Sequence, residues 1–430
     1  MAQTQQRARI FYGWWIVLAG VLCTFVGSGI GFYEVGVFID PLTHTHGWSR
    51  NEVSAAITLL FAATGVLGVL IGRDLDRHGP RRVLLLGTVA MSSSLFLIGH
   101  LQHVWQLYAV YLWMAVGYCS LSSIPVTWMI SRWFVRRRAF ALSIALAGTS
   151  LGGIVLVPIS QAVIHHAGLT AAATLLAVLV LVIALPITLG VVRTDPRDRG
   201  LLPDGDTPRD AARTPVRSLD YPWTIAEALR TLPFWAITLA FAIALVGQTA
   251  YLIHQIPYLE GPLGAEPAAF AVSMTAIASV IGRFCVGVVE RRFTLRQLSI
   301  GCFLLQSGAL LILALVQHPV SLFVMTFLFG LTIGNVYMLQ ALVTAECFGV
   351  TTYGTVYGLV SVLTLFGSAA GPSIASAAVA FAGSYARCFA IMAGCGLLAT
   401  WLIHYARPAL PPRRQREERP ETLPESQPAP

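Results

Sequence analysis

Long apolar stretches alternate along the chain with short polar breaks. Each stretch is close to the roughly 20 residues that a helix needs to cross about 30 Å of hydrocarbon. In order they run over 10–38, 52–71, 83–101, 105–130, 139–164, 169–192, 232–258, 267–289, 298–316, 320–345, 354–381 and 388–405. This pattern predicts twelve transmembrane helices. The first follows Arg7 and Arg9 as a signal sequence would, but it is too long for a signal core and lacks a small-residue cleavage site, so it is expected to stay as a span.

The breaks carry the topology. Arginines gather before the first span (Arg7, Arg9), after the second (Arg73, Arg77, Arg81, Arg82), after the fourth (Arg132, Arg136, Arg137, Arg138), along 193–230, after the eighth (Arg291, Arg292, Arg296) and from Arg407 onward. Breaks on the other side carry Arg50 and, before the last span, Arg387. Positive residues stay cytoplasmic, so both termini are expected inside, in a plasma membrane of bacterial inner-membrane type. The break at 193–230 is rich in Pro, Asp and Arg and cannot bury a core of its own. It divides the chain into a first six-helix bundle (1–192), a cytoplasmic linker (193–230), a second six-helix bundle (231–406) and a disordered tail (407–430). Basic turns after the second span of each half, 72–82 and 287–296, hint at an internal repeat.

Composition agrees with a membrane protein. Of 430 residues 56% are hydrophobic and 11% charged, against about 25% charged in an average soluble domain. The formal charge of +8 comes from arginine alone, since the chain contains no lysine. It reports orientation and not nucleic-acid binding. A phosphate-binding P-loop requires a lysine, so this chain by itself is not a nucleotide-driven pump. The seven cysteines, Cys23, Cys119, Cys285, Cys302, Cys347, Cys388 and Cys395, form no CxxC pair and read as small buried hydrophobes. No HExxH occurs, and catalytic residues, a metal and a cofactor are not expected.

Arg283 is the residue that demands an explanation. It lies inside 274–292, with nine apolar or small residues before it and six after. At mid-bilayer depth an arginine costs roughly 2.5–3.5 kcal/mol and faces a water-filled cavity or an anionic partner. The alternative is a side chain that snorkels to the headgroups near Glu290 and Arg292. Glu34 is the one acid inside a span away from its end. Low dielectric favours the neutral form of a carboxyl, which would suit a proton carrier, though a position near the outer end would leave it in water.

The segment Gly72-Arg-Asp-Leu-Asp76-Arg77-His-Gly79-Pro-Arg81-Arg82 resembles the major facilitator superfamily signature G-x-x-x-D-R-x-G-x-R-R between spans two and three. The resemblance implies an all-α integral membrane fold of two pseudo-symmetric six-helix bundles. It also implies that Gly72, Asp76, Arg77, Gly79 and Arg81 latch the outward-open state. A second segment, 133–152, resembles the monocarboxylate porter signature that enters span five: Trp133-Phe134, Arg136-Arg137-Arg138, then Ala145, Gly148 and Gly152 on one helix face. The first-span motif is partly kept in Tyr12-Gly13-Trp14-Trp15, without its preceding acid. The drug/proton antiporter signature is not recognisable in 148–158, which favours symport or uniport.

In that branch an arginine in span eight binds the substrate carboxylate, and Arg283 matches it. Many members place an acid one turn earlier; this chain has Ser279, read instead as a hydrogen-bond donor to the anion. A first-span lysine of animal members and a span-eleven lysine of oxalate/formate exchangers are both absent. Tyr118 matches a region where bacterial relatives place a substrate-facing tyrosine, and Asn335, Tyr337 and His254 are further substrate candidates. Glu34 or His254 would carry the proton. The expectation is a proton-coupled carrier of a small lactate- or pyruvate-like monocarboxylate, whose partners are that carboxylate, protons and lipid. Efflux of a hydrophobic drug or metabolite is the alternative, and a non-transporting membrane sensor a remote one. Oligomeric state is left open by the sequence.

Overall fold

The computed structural model describes residues 11–206, 221–290 and 292–409. Among these residues the secondary structure is entirely helical, with no strand. The long helices are α1 (Gly13–Val37), α2 (Arg50–His78), α3 (Pro80–Ile98), α4 (Val104–Trp133), α7 (Leu232–Leu263), α8 (Glu266–Val289), α9 (Leu295–Leu315), α10 (Pro319–Phe348), α11 (Tyr353–Val379) and α12 (Tyr385–Ile403). One further helical run, Arg138–Gly190, has 53 residues. Straight, it would extend for about 80 Å, far beyond one bilayer crossing. Gly168 breaks it, at φ 82° and ψ 174°, a conformation that glycine adopts without steric penalty. The run is therefore two antiparallel spans, α5 (138–167) and α6 (169–190), and the crossings number twelve among the described residues.

Local sequence explains the helix ends. Ser49 and Glu52 form a capping box at the start of α2, as do Thr294 and Gln297 at α9, so otherwise orphaned N–H groups find acceptors. Helix α1 contains a π-helical stretch, Gly29–Glu34, which its apolar pattern does not announce. Large apolar side chains such as Val66, Val89 and Val182 are more than half exposed on the outer surface, where lipid takes the place of a core.

Packing is closest where small residues meet. Ala145, Gly148 and Gly152 of α5 face α1: a Cβ on Gly148 would strike the Val21 carbonyl, and Thr24 of α1 donates to the Ala145 carbonyl at 2.8 Å. Close backbone approach of this kind holds membrane helices together by van der Waals contact.

The described parts of the break, 193–206 and 221–230, are more ordered than their composition suggests. Its first part folds into two short turns, Pro196–Arg199 and Pro203–Gly205, against the first bundle. There Asp204 accepts from the backbone N–H groups of Val135, Arg136 and Arg137, and Asp206 pairs with Arg136. Its last part carries a short helix, Ile225–Leu229, and buries Trp223 against Phe348 of the second bundle. Polar capping and one aromatic anchor replace the apolar core that a composition reading looks for. Residues 207–220 and most of the predicted tail lie outside the described residues; Ala409 N–H donates to the Cys347 carbonyl at 2.9 Å. The cysteine expectation needs one correction, since Cys285 is exposed on α8.

Candidate functional site

Arg283 does not snorkel. Its Nη1 donates to the Leu146 carbonyl and to the Ser150 hydroxyl of α5, both at 3.3 Å. The Tyr33 side chain of α1 is within electrostatic range of the guanidinium, and Nε is buried without a hydrogen-bond partner. All three neighbours belong to the other bundle, so the charge lies across the seam between the halves. Gly334 of α10 provides the space: a Cβ there would sit 2.7 Å from Arg283 Cγ and 2.8 Å from Cδ, and nearer still to Nε. A guanidinium with unused donors at such a seam is suited to bidentate capture of a carboxylate.

The other predicted residues divide into groups. Ser279 is buried one turn before Arg283 on the same helix. Tyr118 of α4 and Tyr337 of α10 are within electrostatic range of each other, and Tyr118 also of Tyr33, so these tyrosines share the central region with Arg283. Asn335 lies elsewhere. It donates to the Leu331 carbonyl at 2.8 Å and lines a cavity of about 340 Å³ between α8, α9 and α10, together with Cys285, Gln297 and Cys302. That cavity is formed by one bundle alone, so it offers no route for alternating access. His254 is half-buried beside Tyr385 of α12, with ring centroids 5.7 Å apart. Tyr251, three residues earlier on the same helix, is a packing residue, hydrogen-bonded to Thr326 at 2.7 Å.

Glu34 is fully buried and does not meet outside water. It ends the π-helical stretch of α1, one residue after Tyr33. Ser160 of α5 is adjacent, yet neither carboxyl oxygen nor the Ser160 hydroxyl has a partner of hydrogen-bond geometry. Buried polar groups are otherwise almost always paired, and π-helical turns recur at functional positions.

The signature residues sit on the arginine-rich face. Asp76 accepts from the N–H groups of Gly354 and Thr355 (3.0 and 2.7 Å), from the Thr355 hydroxyl (2.8 Å) and from Trp128 Nε1 (2.9 Å). It therefore ties α2 to the N-terminus of α11, where the helix dipole favours a negative charge. Gly72 lies against the Gly354 carbonyl with no room for a Cβ. Arg81 donates to the Val192 and Leu189 carbonyls and so braces α6 within its own bundle. Gly79, at φ 78°, turns the chain from α2 into α3. Arg77 is exposed.

A residue outside the prediction repeats this arrangement. Glu290, at the end of α8, accepts from the N–H groups of Ala139 and Phe140 at the start of α5, both at 3.3 Å. Arg132 adds a bond to the Val350 carbonyl at 3.3 Å. The halves are thus joined along the arginine-rich face. Tyr33, Ser150, Ser160 and Gly334 were also missed. The basic turns after α2 and α8 were the available signal for Glu290; nothing local marked the others. No cluster of His, Cys, Asp or Glu among the described residues is able to hold a metal ion.

Known proteins share the family and the fold. A profile for the Major Facilitator Superfamily matches residues 17–336 and 256–428. Among curated proteins, Monocarboxylate transporter 12 of Rattus norvegicus is 25% identical over 435 residues, covering 92% of this chain and 86% of that protein. An uncharacterized MFS-type transporter, YcxA of Bacillus subtilis, is 23% identical over 359 residues, covering 80% and 83%. Among solved structures, the E. coli fucose:proton symporter FucP superposes with a TM-score of 0.68 at 15% identity, covering 92% of this chain and all of that one. The proton:xylose symporter XylE gives 0.70 at 12%, covering 91% and 95%. Matching motifs, two six-helix bundles and these likenesses together make the chain a multi-pass membrane transporter and not an enzyme: it belongs to the major facilitator superfamily, with monocarboxylate transporters among its relatives.

Proposed function

We propose that this secondary transporter carries an organic monocarboxylate together with a proton, with its arginine-rich face in the cytoplasm. The observation that carries the reading is the Arg283 guanidinium, held at the seam against Leu146 and Ser150 of the opposite bundle. A carboxylate arriving from the outer side takes over the donors now directed at these weak acceptors. Ser279 and Tyr118 stand as further hydrogen-bonding groups around it. Rocking the halves about this point exchanges access while the anion stays paired, the usual plan for a mid-membrane site between helical halves.

Glu34 is the proposed proton carrier. A buried carboxyl without a hydrogen-bonding partner is costly when ionised, so a protonated Glu34 suits the conformation in which it is enclosed, and release follows when rocking hydrates it. His254 serves less well because its ring packs beside Tyr385 of its own bundle. Asp76 and Glu290 hold the cytoplasmic side closed until the loaded carrier turns.

The test is uptake of labelled carboxylates into proteoliposomes, with and without an inward proton gradient. Arg283→Gln should abolish binding and uptake. Glu34→Gln should abolish accumulation driven by the gradient while retaining exchange of substrate for substrate. Wild-type uptake in Arg283→Gln would refute the anion site, and gradient-driven accumulation in Glu34→Gln would refute the proton site.

A further inference from the structure

Beside Arg283 the seam is lined by rings. Phe32 and Tyr33 are consecutive on α1, with ring centroids 5.1 Å apart and planes at 86°. Phe32 continues to Phe61 of α2 (5.9 Å, 68°), and Phe61 to Tyr118 of α4 (6.3 Å, 86°). Tyr118 is within range of Tyr337 on the second bundle, and Tyr33 within range of Arg283 itself. An aromatic run of α1, α2 and α4 therefore lies within electrostatic range of the guanidinium and of Tyr337 on the second bundle.

This wall is open. Phe32 is 51% exposed and Tyr33 38%, while Phe61 and Tyr118 are half-buried; the ring partners and the guanidinium near Tyr33 place this run at the seam. The rings along the run meet edge to face, and offset or perpendicular contact with a further ring is the arrangement aromatic groups prefer. Glycines seat these rings: a Cβ on Gly31 would strike the Tyr118 ring, and one on Gly153 of α5 the Tyr33 ring. A two- or three-carbon hydroxy acid held by Arg283 covers little of this surface and leaves it wetted.

We infer that the transported anion bears an aryl group on a short chain from its carboxylate, the carboxylate on Arg283 and the ring on the wall formed by Phe32, Phe61 and Tyr118. The inference rests on the carboxylate reading of Arg283. It changes the substrate class from a small hydrophilic acid to an aryl-alkyl carboxylate.

The experiment measures binding of acetate, phenylacetate, 3-phenylpropionate and the neutral phenylacetamide to the purified full-length protein, by calorimetry or thermal shift. Burial of one ring should make phenylacetate bind roughly tenfold or more tighter than acetate. Phe32→Ala and Phe61→Ala should each lower the ratio of the two affinities several-fold; a ratio within one preparation does not depend on the fraction folded. Acetate and phenylacetate binding equally, both lost in Arg283→Gln, would overturn the aryl inference and leave the carboxylate site standing. Phenylacetamide equalling phenylacetate, with the alanine effect intact, would uphold the aryl wall and overturn the carboxylate site. Binding of none of the four would overturn both.

Discussion

Gly334→Ala tests the seat of Arg283 without touching the charge. The new Cβ would lie 2.7–2.8 Å from Cγ and Cδ of the arginine, where carbon atoms settle at about 3.5–4.0 Å. The side chain must therefore move by about 1 Å. Its two bonds to Leu146 and Ser150 are already at 3.3 Å and do not survive such a shift, since the interaction fades beyond about 3.5 Å. A substrate carboxylate meeting the displaced guanidinium loses about one charge-assisted hydrogen bond, about 1.5–3 kcal/mol, or roughly 10- to 150-fold in affinity. The protein should still fold, because overpacking costs about 1–3 kcal/mol and alanine regains about 1 kcal/mol of helix propensity over glycine. The assay is calorimetric binding of a carboxylate in detergent, with Gly308→Ala as control, because a Cβ at Gly308 meets nothing within 4 Å. Wild-type affinity in Gly334→Ala, alongside lost binding in Arg283→Gln, would refute the claim that Gly334 positions the guanidinium.

Two further predictions concern the arginine-rich face. Asp76→Ala removes an acceptor of four hydrogen bonds; loss of a helix cap costs about 0.5–2 kcal/mol, so the ratio of closed to open molecules should fall roughly 2- to 30-fold. Distances between spin labels at exposed Leu189 and Phe293 read that ratio, and an unchanged distribution contradicts the latch. Glu290 gives a pH dependence. Burial pushes its carboxyl up to about 7, opposed by the Ala139 and Phe140 N–H groups and the Arg138 guanidinium and reinforced by Asp204. Opening returns it to water and to the ordinary carboxylate range. The closed state thus binds the proton more tightly, so closure is favoured as pH falls below about 7 and weakened as pH rises through it. The same spin pair between pH 5 and 8 should follow this course, and Glu290→Gln should flatten it; closure that strengthens with rising pH would reverse the assignment.

Much of the architecture is written in local chemistry. Apolar length gives the spans, the arginine clusters give their alternation, and the segment around Asp76 identifies the superfamily before any coordinates are seen. These are properties of neighbouring residues, because a helix must satisfy its own backbone within the bilayer wherever it is inserted. Arg283 stood out for the same reason: a charge inside an apolar run is costly by itself. The sequence could not say which groups would answer that charge. Leu146 and Ser150 lie more than 130 positions away, and Asp76 meets Thr355 across 279. Glu34 could be read as wet or buried until packing against α5 enclosed it, and Asn335 could be read as central until α10 turned it toward α9. Pairings of this kind depend on how helix faces are rotated against one another. That rotation is chosen by close contact among many small residues at once, and only the tertiary structure expresses it.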